Sequence, residues 1–187
     1  MFKSVFTKVL TAAALTSAIG FANATPTDDL QQFNRNTKNA SGSFTQKVIG
    51  KSGAAKKISS GSFVFARPGK FRWTYTHPYE QVLVSNGKTL TIFDKDLNQV
   101  TKRSLGSAIG SSPAAILFGG SDLSANFTLS DGGEADGRAW VTAVPKSRSG
   151  NFTKVNIGLR NGLPDAMELY DTLGQVTVLN FSGVSQN

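Results

Sequence analysis

The feature that most constrains the fold is a period-two alternation of apolar and polar residues that begins after Asn39. Turn signals separate the alternating segments, and Asn86-Gly87 and Asn161-Gly162 are typical of tight β-hairpins. The pattern predicts strands at Ser43–Val48, Gly61–Arg67, Lys70–Thr76, Glu80–Ser85, Lys88–Asp94, Gln99–Ser104, Asn126–Ser130, Arg138–Val144, Thr153–Arg160, Asp165–Asp171 and Gln175–Ser182. Such an antiparallel meander has to close, or nearly close, into a barrel to protect its edges.

The first 24 residues have the order of a secretory signal peptide. Lys3 and Lys8 precede an uncharged apolar stretch, Val9–Gly20, and Ala22–Ala24 has the form of a cleavage site. That stretch is too short to span roughly 30 Å of hydrocarbon, so a membrane anchor is disfavoured. We expect export, cleavage after Ala24, and one domain of residues 25–187 located in the periplasm.

Charge and cysteine content argue against nucleic-acid binding, disulfide bonds and a lipid anchor. The net charge is +8, but the basic residues are scattered, so nucleic acid is not expected as a partner. The chain has no cysteine, which excludes disulfides and a lipid anchor attached through cysteine. Stability must therefore come from packing.

Two short helices are predicted. Thr27–Asn36 is amphipathic, with Thr27 or Asp28 as its N-cap. Ser111–Gly120 is apolar nearly all round and is flanked by glycines, with Pro113 near its first position. A helix this short needs an apolar surface to lie against. It is either a mobile lid or a static plug, and the sequence does not decide between them.

The segment FVFARPGKFRWTYTHP places five rings on a possible common face of two adjacent strands, which we call the aromatic wall: Phe63, Phe65, Phe71, Trp73 and Tyr75. A two-residue connection would pair Arg67 with Lys70 and bring cations among the rings. A three-residue connection, Pro68–Lys70, keeps the cations away, and it is the register we predict. It pairs Arg67 with Phe71, Phe65 with Trp73, and Phe63 with Tyr75.

Arg67 shares the phase of these rings, and an inward-facing arginine has to be paired. The last carbonyls of the Ser111–Gly120 helix have no intrahelical donors and carry partial negative charge. We therefore expect Arg67 to act as a latch that holds this helix over a hydrophobic cavity.

Catalytic and metal-binding motifs are not expected in this chain. His77 is the single histidine, and no protease or hydrolase signature surrounds it. Asp94–Asn98 resembles the start of a calcium loop but lacks its glycine, so it is interpreted as a turn. The acidic segment Asp131–Asp136 is interpreted as a solvated loop. We expect no enzyme activity, no cofactor and no metal.

Four segments in this order resemble the LolA family of outer-membrane lipoprotein carrier proteins: GSFTQKV (Gly42–Val48), RPGKFRWTY (Arg67–Tyr75), QVLVSNGKTLTIFD (Gln81–Asp94) and SSPAAILFG (Ser111–Gly119). The resemblance covers nearly all of the chain after Ala24. It implies an incomplete antiparallel β-barrel, with short α-helices forming a lid over a hydrophobic cavity. It also places the functional arginine of the family at Arg67 and a cavity phenylalanine at Phe71.

The resemblance implies a monomeric periplasmic chaperone for acylated lipoproteins. An inner-membrane ABC transporter complex would supply them, and an outer-membrane receptor, LolB, would accept them. The receptor has a related fold but is lipid-anchored, so a chain without cysteine resembles the carrier. Cargo would contact the aromatic wall beneath a lid formed by Pro113, Ala114, Ile116, Leu117 and Phe118. The open alternatives are a general hydrophobic-ligand or glycolipid binder and a structural adaptor with a fixed plug.

Overall fold

The computed structural model describes residues 24–120, 122–148 and 150–186. The helices there are α1 (Pro26–Asn36), α2 (Leu105–Ala108) and α3 (Pro113–Phe118), with a 3₁₀ turn at Leu123–Ala125. The strands are β1 (Asn39–Ile49), β2 (Ala55–Ala66), β3 (Lys70–His77), β4 (Gln81–Asn86), β5 (Thr89–Asp94), β6 (Gln99–Ser104), β7 (Phe127–Ala135), β8 (Arg138–Pro145), β9 (Phe152–Arg160), β10 (Leu163–Asp171) and β11 (Val176–Gln186). The predicted signal peptide, apart from Ala24, lies outside the described residues.

The strands form one antiparallel sheet in the order β6-β5-β4-β3-β2-β1-β11-β10-β9-β8-β7. Every strand predicted from the alternation is present. β6 and β7 are the two edge strands and do not pair with each other, so the barrel is incomplete. The mainly β fold and its antiparallel, unclosed barrel are thus confirmed. No helix in the described ranges combines the length and apolar character needed to cross a bilayer.

One hydrophobic core lies on the inner face of the sheet. It contains side chains from both halves of the strand order, such as Leu90 of β5 and Val141 of β8, and these contribute to one continuous cluster. A single sheet brings such distant strands together only by curving around the core. α1 lies across β7–β10, and α3 lies against β3. Both helices therefore cover the core from the inner side.

α1 begins earlier than the sequence analysis predicts. Its N-cap is Thr25, and neither Thr27 nor Asp28 has that role. Thr25 and Asp28 form a capping box, and Pro26 occupies the first turn. Because proline lacks an N–H and its φ suits a first helical position, the helix can begin directly after Thr25.

The acidic segment Asp131–Asp136 is exposed, as predicted, but it is a strand end and a tight turn, so its interpretation as a loop is wrong. β7 continues through a bulge after Asp131 as far as Ala135. Asp136 and Gly137 both have positive φ, at 55° and 69°. Two such residues make the tight hairpin turn that matches strand twist, so pairing continues to the turn itself. By contrast, the turn predicted at Asp94–Asn98 is present.

The register of the β2–β3 hairpin differs from the prediction by two positions. The observed pairs are Phe63 with Trp73, Phe65 with Phe71, and Ala66 with Lys70. A shift of two residues leaves side-chain parity unchanged. The five rings of the aromatic wall therefore still share one face, although their predicted partners are wrong.

Arg67 lies in the turn and does not pair with Phe71. The connection is Arg67-Pro68-Gly69, one residue earlier than expected. The Arg67 N–H donates to the carbonyl of Lys38 at 2.7 Å, outside the hairpin. Pro68 has no N–H to donate, and Gly69 has a φ of 67°, which favours glycine. These three backbone properties end the ladder at Ala66.

Candidate functional site

The aromatic wall and α3 face each other across the inside of the sheet. Phe118, at the last position of α3, lies between two rings of the wall. Its ring is stacked on Phe65 at a centroid distance of 4.4 Å and on Phe63 at 5.2 Å. It also approaches Phe71 and Trp73 at 6.3 and 6.4 Å. A single residue of α3 therefore contacts four of the five predicted wall residues.

Three further rings extend the wall, and the sequence analysis did not identify them. Phe44 of β1 stacks on Trp73 at 4.0 Å, and Phe181 of β11 meets Phe63 edge-on at 5.8 Å. Phe33 of α1 meets Phe65 edge-on at 6.1 Å. Phe44 and Phe181 are direct cross-strand partners. Their alternation was visible in the sequence, but the β1–β11 pairing that brings them to the wall is non-local.

The space beneath α3 is almost completely filled. The apolar cavity between α3 and the wall has a volume of about 10 Å³ and is lined by Phe33, Phe63, Phe65, Leu117, Phe118, Pro164, Phe181 and Val184. That is about the space of one water molecule. An acyl chain does not fit, so the expectation of a hollow interior is wrong for this closed arrangement. The side chains of α3 occupy the volume, and Phe118 is only 2% exposed.

Arg67 holds the C-terminal end of α3. Its Nη1 donates to the carbonyl of Gly120 at 2.7 Å, and its Nη2 donates to the carbonyl of Leu117 at 3.2 Å. These are the hydrogen bonds to late helix carbonyls that the sequence analysis expects. Arg67 also lies over the rings of Phe65 and Phe33, at 5.0 and 5.4 Å from their centroids.

The charge of Arg67 is not balanced by a carboxylate in its surroundings. Among the described residues it forms no ion pair, and its buried Nε has no hydrogen-bond partner there. Burial lowers the pKa of the guanidinium to about 10. Neutral oxygens therefore hold this cation, and they bind a guanidinium less strongly than a carboxylate does. A contact of this kind can be released.

Asn34 of α1 is the third acceptor of Arg67 and was missed from the sequence. Its Oδ1 accepts from Nη2 at 2.8 Å, and the residue is only 4% exposed. Asn34 lies four residues after the buried Leu30 and beside the buried Phe33. Its position on the apolar face of α1 was the available signal that this amide needs an inward partner.

The far end of the wall is Tyr75. Its hydroxyl donates to Oε1 of Gln46 at 3.1 Å, and its ring stacks with Tyr79 at 6.2 Å. Burial raises the pKa of Tyr75 to about 12. His77, at the end of β3, is exposed. Within the described ranges no group of three or more His, Asp or Glu side chains is placed to hold a metal ion.

The fold and site define a curved antiparallel half-barrel whose apolar inner face is covered by a short helix held by one arginine. The chain matches the family described as "Outer membrane lipoprotein carrier protein LolA" over residues 35–187. Two similar proteins are named outer-membrane lipoprotein carrier protein. The one from Cupriavidus pinatubonensis is 51% identical over 89% of this chain and 80% of the relative, and the one from Dechloromonas aromatica is 43% identical over 100% and 90%. This chain belongs to the LolA family.

A solved structure shares the fold at much lower identity. It is a LolA superfamily protein from Nitrosomonas europaea, with a TM-score of 0.51 and 13% identity. The alignment covers 87% of this chain and 92% of that one. At this identity the likeness shows the architecture alone.

Proposed function

We propose that the chain is a periplasmic carrier of acylated lipoproteins, which binds their acyl chains against the aromatic wall after α3 moves away. The observation that carries the proposal is the arrangement of α3. An apolar helix fills the interior, yet Arg67 ties its C-terminal end to neutral oxygens only. Membership of the carrier family and relatives named outer-membrane lipoprotein carrier protein support the same function.

In this proposal each predicted site residue has a role. Acyl chains replace α3 against Phe63, Phe65, Phe71, Trp73 and Tyr75. The lid residues that leave are Pro113, Ala114, Ile116, Leu117 and Phe118, and Arg67 is the latch. Because the closed cavity is about 10 Å³, loading requires the lid to move out by at least the volume of the incoming chains. A static plug is the competing interpretation.

Acyl-chain energetics explain why such a carrier needs a donor. Burial of hydrocarbon is worth about 0.8 kcal/mol per CH₂, so two or three long chains hold a lipoprotein in a bilayer by tens of kcal/mol. Non-covalent affinities saturate near −18 to −21 kcal/mol. The carrier therefore receives its cargo from an energy-consuming donor, an inner-membrane ABC transporter complex, and passes it to the outer-membrane receptor LolB. It does so as a monomer of residues 25–187, after removal of the signal peptide.

The decisive experiment uses inner-membrane vesicles that contain the donor complex and an acylated lipoprotein. With ATP and the purified chain, we expect the lipoprotein to appear in the soluble fraction as an equimolar complex, observed by native mass spectrometry. A lipoprotein whose lipidated cysteine is replaced by serine should not form the complex. Equal complex formation with and without acyl chains would refute the proposal.

A second candidate is a general hydrophobic-ligand or glycolipid carrier, favoured by the apolar residues that line the space between α3 and the wall, which suit any hydrocarbon chain. Native mass spectrometry of the protein recovered from the periplasm separates the two. A mass increment of free lipid or glycolipid, with no lipoprotein, supports this candidate over the first.

A further inference from the structure

We propose that Asn34 is a positioning residue that fixes the guanidinium of Arg67 so that it can bind and recapture the lid. The inference rests on the proposed function, since it assumes that α3 moves. Asn34 shares the Nη2 group with the carbonyl of Leu117, and among the described residues it is the one acceptor of the Arg67 side chain that does not belong to the lid segment.

α1 is anchored independently of α3. At its first turn, Thr27 donates from both its N–H and its hydroxyl to Asp131 of β7. At its end, the hydroxyl of Thr37 accepts from Gln186 of β11 at 2.8 Å. α1 also packs across β7–β10. Asn34 therefore stays in place when α3 leaves.

The backbone of Arg67 is attached to the same fixed side. Its N–H donates to the carbonyl of Lys38, which directly follows the C-cap of α1. The side chain thus bridges a fixed helix and a movable one. With the lid open, the bonds to Leu117 and Gly120 are lost and the bond to Asn34 remains. Asn34 then keeps the guanidinium pointing to the position that the lid carbonyls reoccupy, which saves the rotamer entropy of searching for them.

Lid movement can be measured directly because the chain contains no cysteine. A thiol introduced as Ala114→Cys reports lid opening, since Ala114 is 1% exposed in α3. A thiol introduced as Ala143→Cys reports global unfolding, since Ala143 is 0% exposed in β8. The full chain is labelled with a maleimide reagent at neutral pH, in buffer without denaturant.

We expect Asn34→Ala to accelerate labelling at position 114 by about tenfold, because the guanidinium then gains rotamer freedom in the open state that lid closure has to remove. Labelling at position 143 should stay slower than labelling at position 114, because lid opening exposes only position 114 whereas unfolding exposes both. Asn36→Ala is the matched control, because Asn36 is exposed in the same helix. Asn34→Asp keeps an acceptor oxygen, and its carboxylate binds a guanidinium more strongly than an amide does, so it should label no more than about threefold faster than the parent.

A dependence of the Asn34→Ala effect on Arg67 distinguishes a positioning role of Asn34 from a general effect on the stability of α1. In an Arg67→Leu background, Asn34→Ala should add less than a twofold change at position 114. A full tenfold effect in that background, or equal labelling of Asn34→Asp and Asn34→Ala, would overturn the inference. If position 114 never labels faster than position 143, even in Arg67→Leu, then the lid does not move separately and the proposed function fails. If Arg67→Leu accelerates labelling and Asn34→Ala does not, only the role of Asn34 fails.

Discussion

Phe118→Ala, compared with Phe44→Ala, separates a mobile lid from a static plug. The ring of Phe118 lies between Phe63 and Phe65 in the closed arrangement, at 5.2 and 4.4 Å. In an open arrangement it would lie away from the wall, in water. Removing the ring therefore destabilises the closed arrangement and leaves the open one nearly unchanged.

The magnitude follows from the burial of the ring. A buried Phe→Ala change costs ~3–5 kcal/mol through lost transfer energy and the cavity left behind. Stacking on Phe63 and Phe65 contributes about 0.5–1.5 kcal/mol for each ring beyond the burial of area. The cost of Phe118→Ala should therefore lie in the upper part of that range. Since 1.4 kcal/mol is a factor of ten, the open fraction should rise by about 10²- to 4 × 10³-fold.

The assay compares thiol labelling at lid position 114 with labelling at position 143 in β8. Phe44→Ala is the matched control, because Phe44 is a buried ring of the same wall that lies on a strand and stacks on Trp73. We expect Phe118→Ala to accelerate labelling at both positions, because the closed arrangement loses stability relative to the open and the unfolded states alike. Phe44→Ala should accelerate labelling at position 143 far more than at position 114, since it lowers the free energy of global unfolding and leaves the balance between closed and open arrangements nearly unchanged.

One result would refute the reasoning about the lid. If Phe44→Ala accelerates labelling at both positions equally, α3 unfolds only with the whole protein and behaves as a plug. An apolar fluorescent probe gives an independent check. It should bind Phe118→Ala more strongly than the parent, because the vacated space and the wall then become accessible.

Three further predictions concern the latch, the wall and the sheet. Arg67→Leu leaves two lid carbonyls without donors, which costs the closed arrangement about 1–3 kcal/mol for each carbonyl, and it adds apolar surface. We therefore expect more lid opening and slower release of bound lipoprotein to an acceptor. Unchanged release in a transfer assay would contradict the latch. The raised pKa of Tyr75 stabilises the fold below pH 10, and this contribution is lost as the pH rises from 10 to about 12. Between pH 9 and 11, urea unfolding should therefore show the parent losing about 1 kcal/mol more than Tyr75→Phe, and parallel losses would refute the assignment. Gly61→Ala should destabilise by ~1–3 kcal/mol or more, because its Cβ would clash with the Thr74 backbone carbonyl. Gly106→Ala, with open space around it, should be neutral in the same unfolding measurement.

The strand pattern and the common face of the wall were predictable because both depend on local alternation. The hydrogen bonds of Arg67 were predictable for a different reason. An inward arginine lacks acceptors and the last carbonyls of a short helix lack donors, so each supplies what the other needs. What remained hidden depends on non-local geometry. The register of β2 and β3 was wrong because the N–H of Arg67 bonds to Lys38, a residue outside the hairpin.

The filled interior could not have been predicted from composition. Apolar side chains in a short helix fit a helix lying over a cavity as well as one inserted into it, and only the tertiary arrangement places Phe118 between two rings. Asn34 was missed because an asparagine in an amphipathic helix usually faces solvent. Its alignment with Leu30 and Phe33 indicated otherwise.

The internal packing of Phe118 also affects the protein between two rounds of transport. A carrier that kept an empty cavity after delivery would expose a large apolar surface. That surface would bind other unloaded copies and free amphiphiles. In the proposed cycle α3 returns to the vacated acyl-chain site, so the unloaded molecule covers its own apolar surface. In that cycle, the solubility of the unloaded protein and its capacity to bind the next lipoprotein depend on the same six-residue helix.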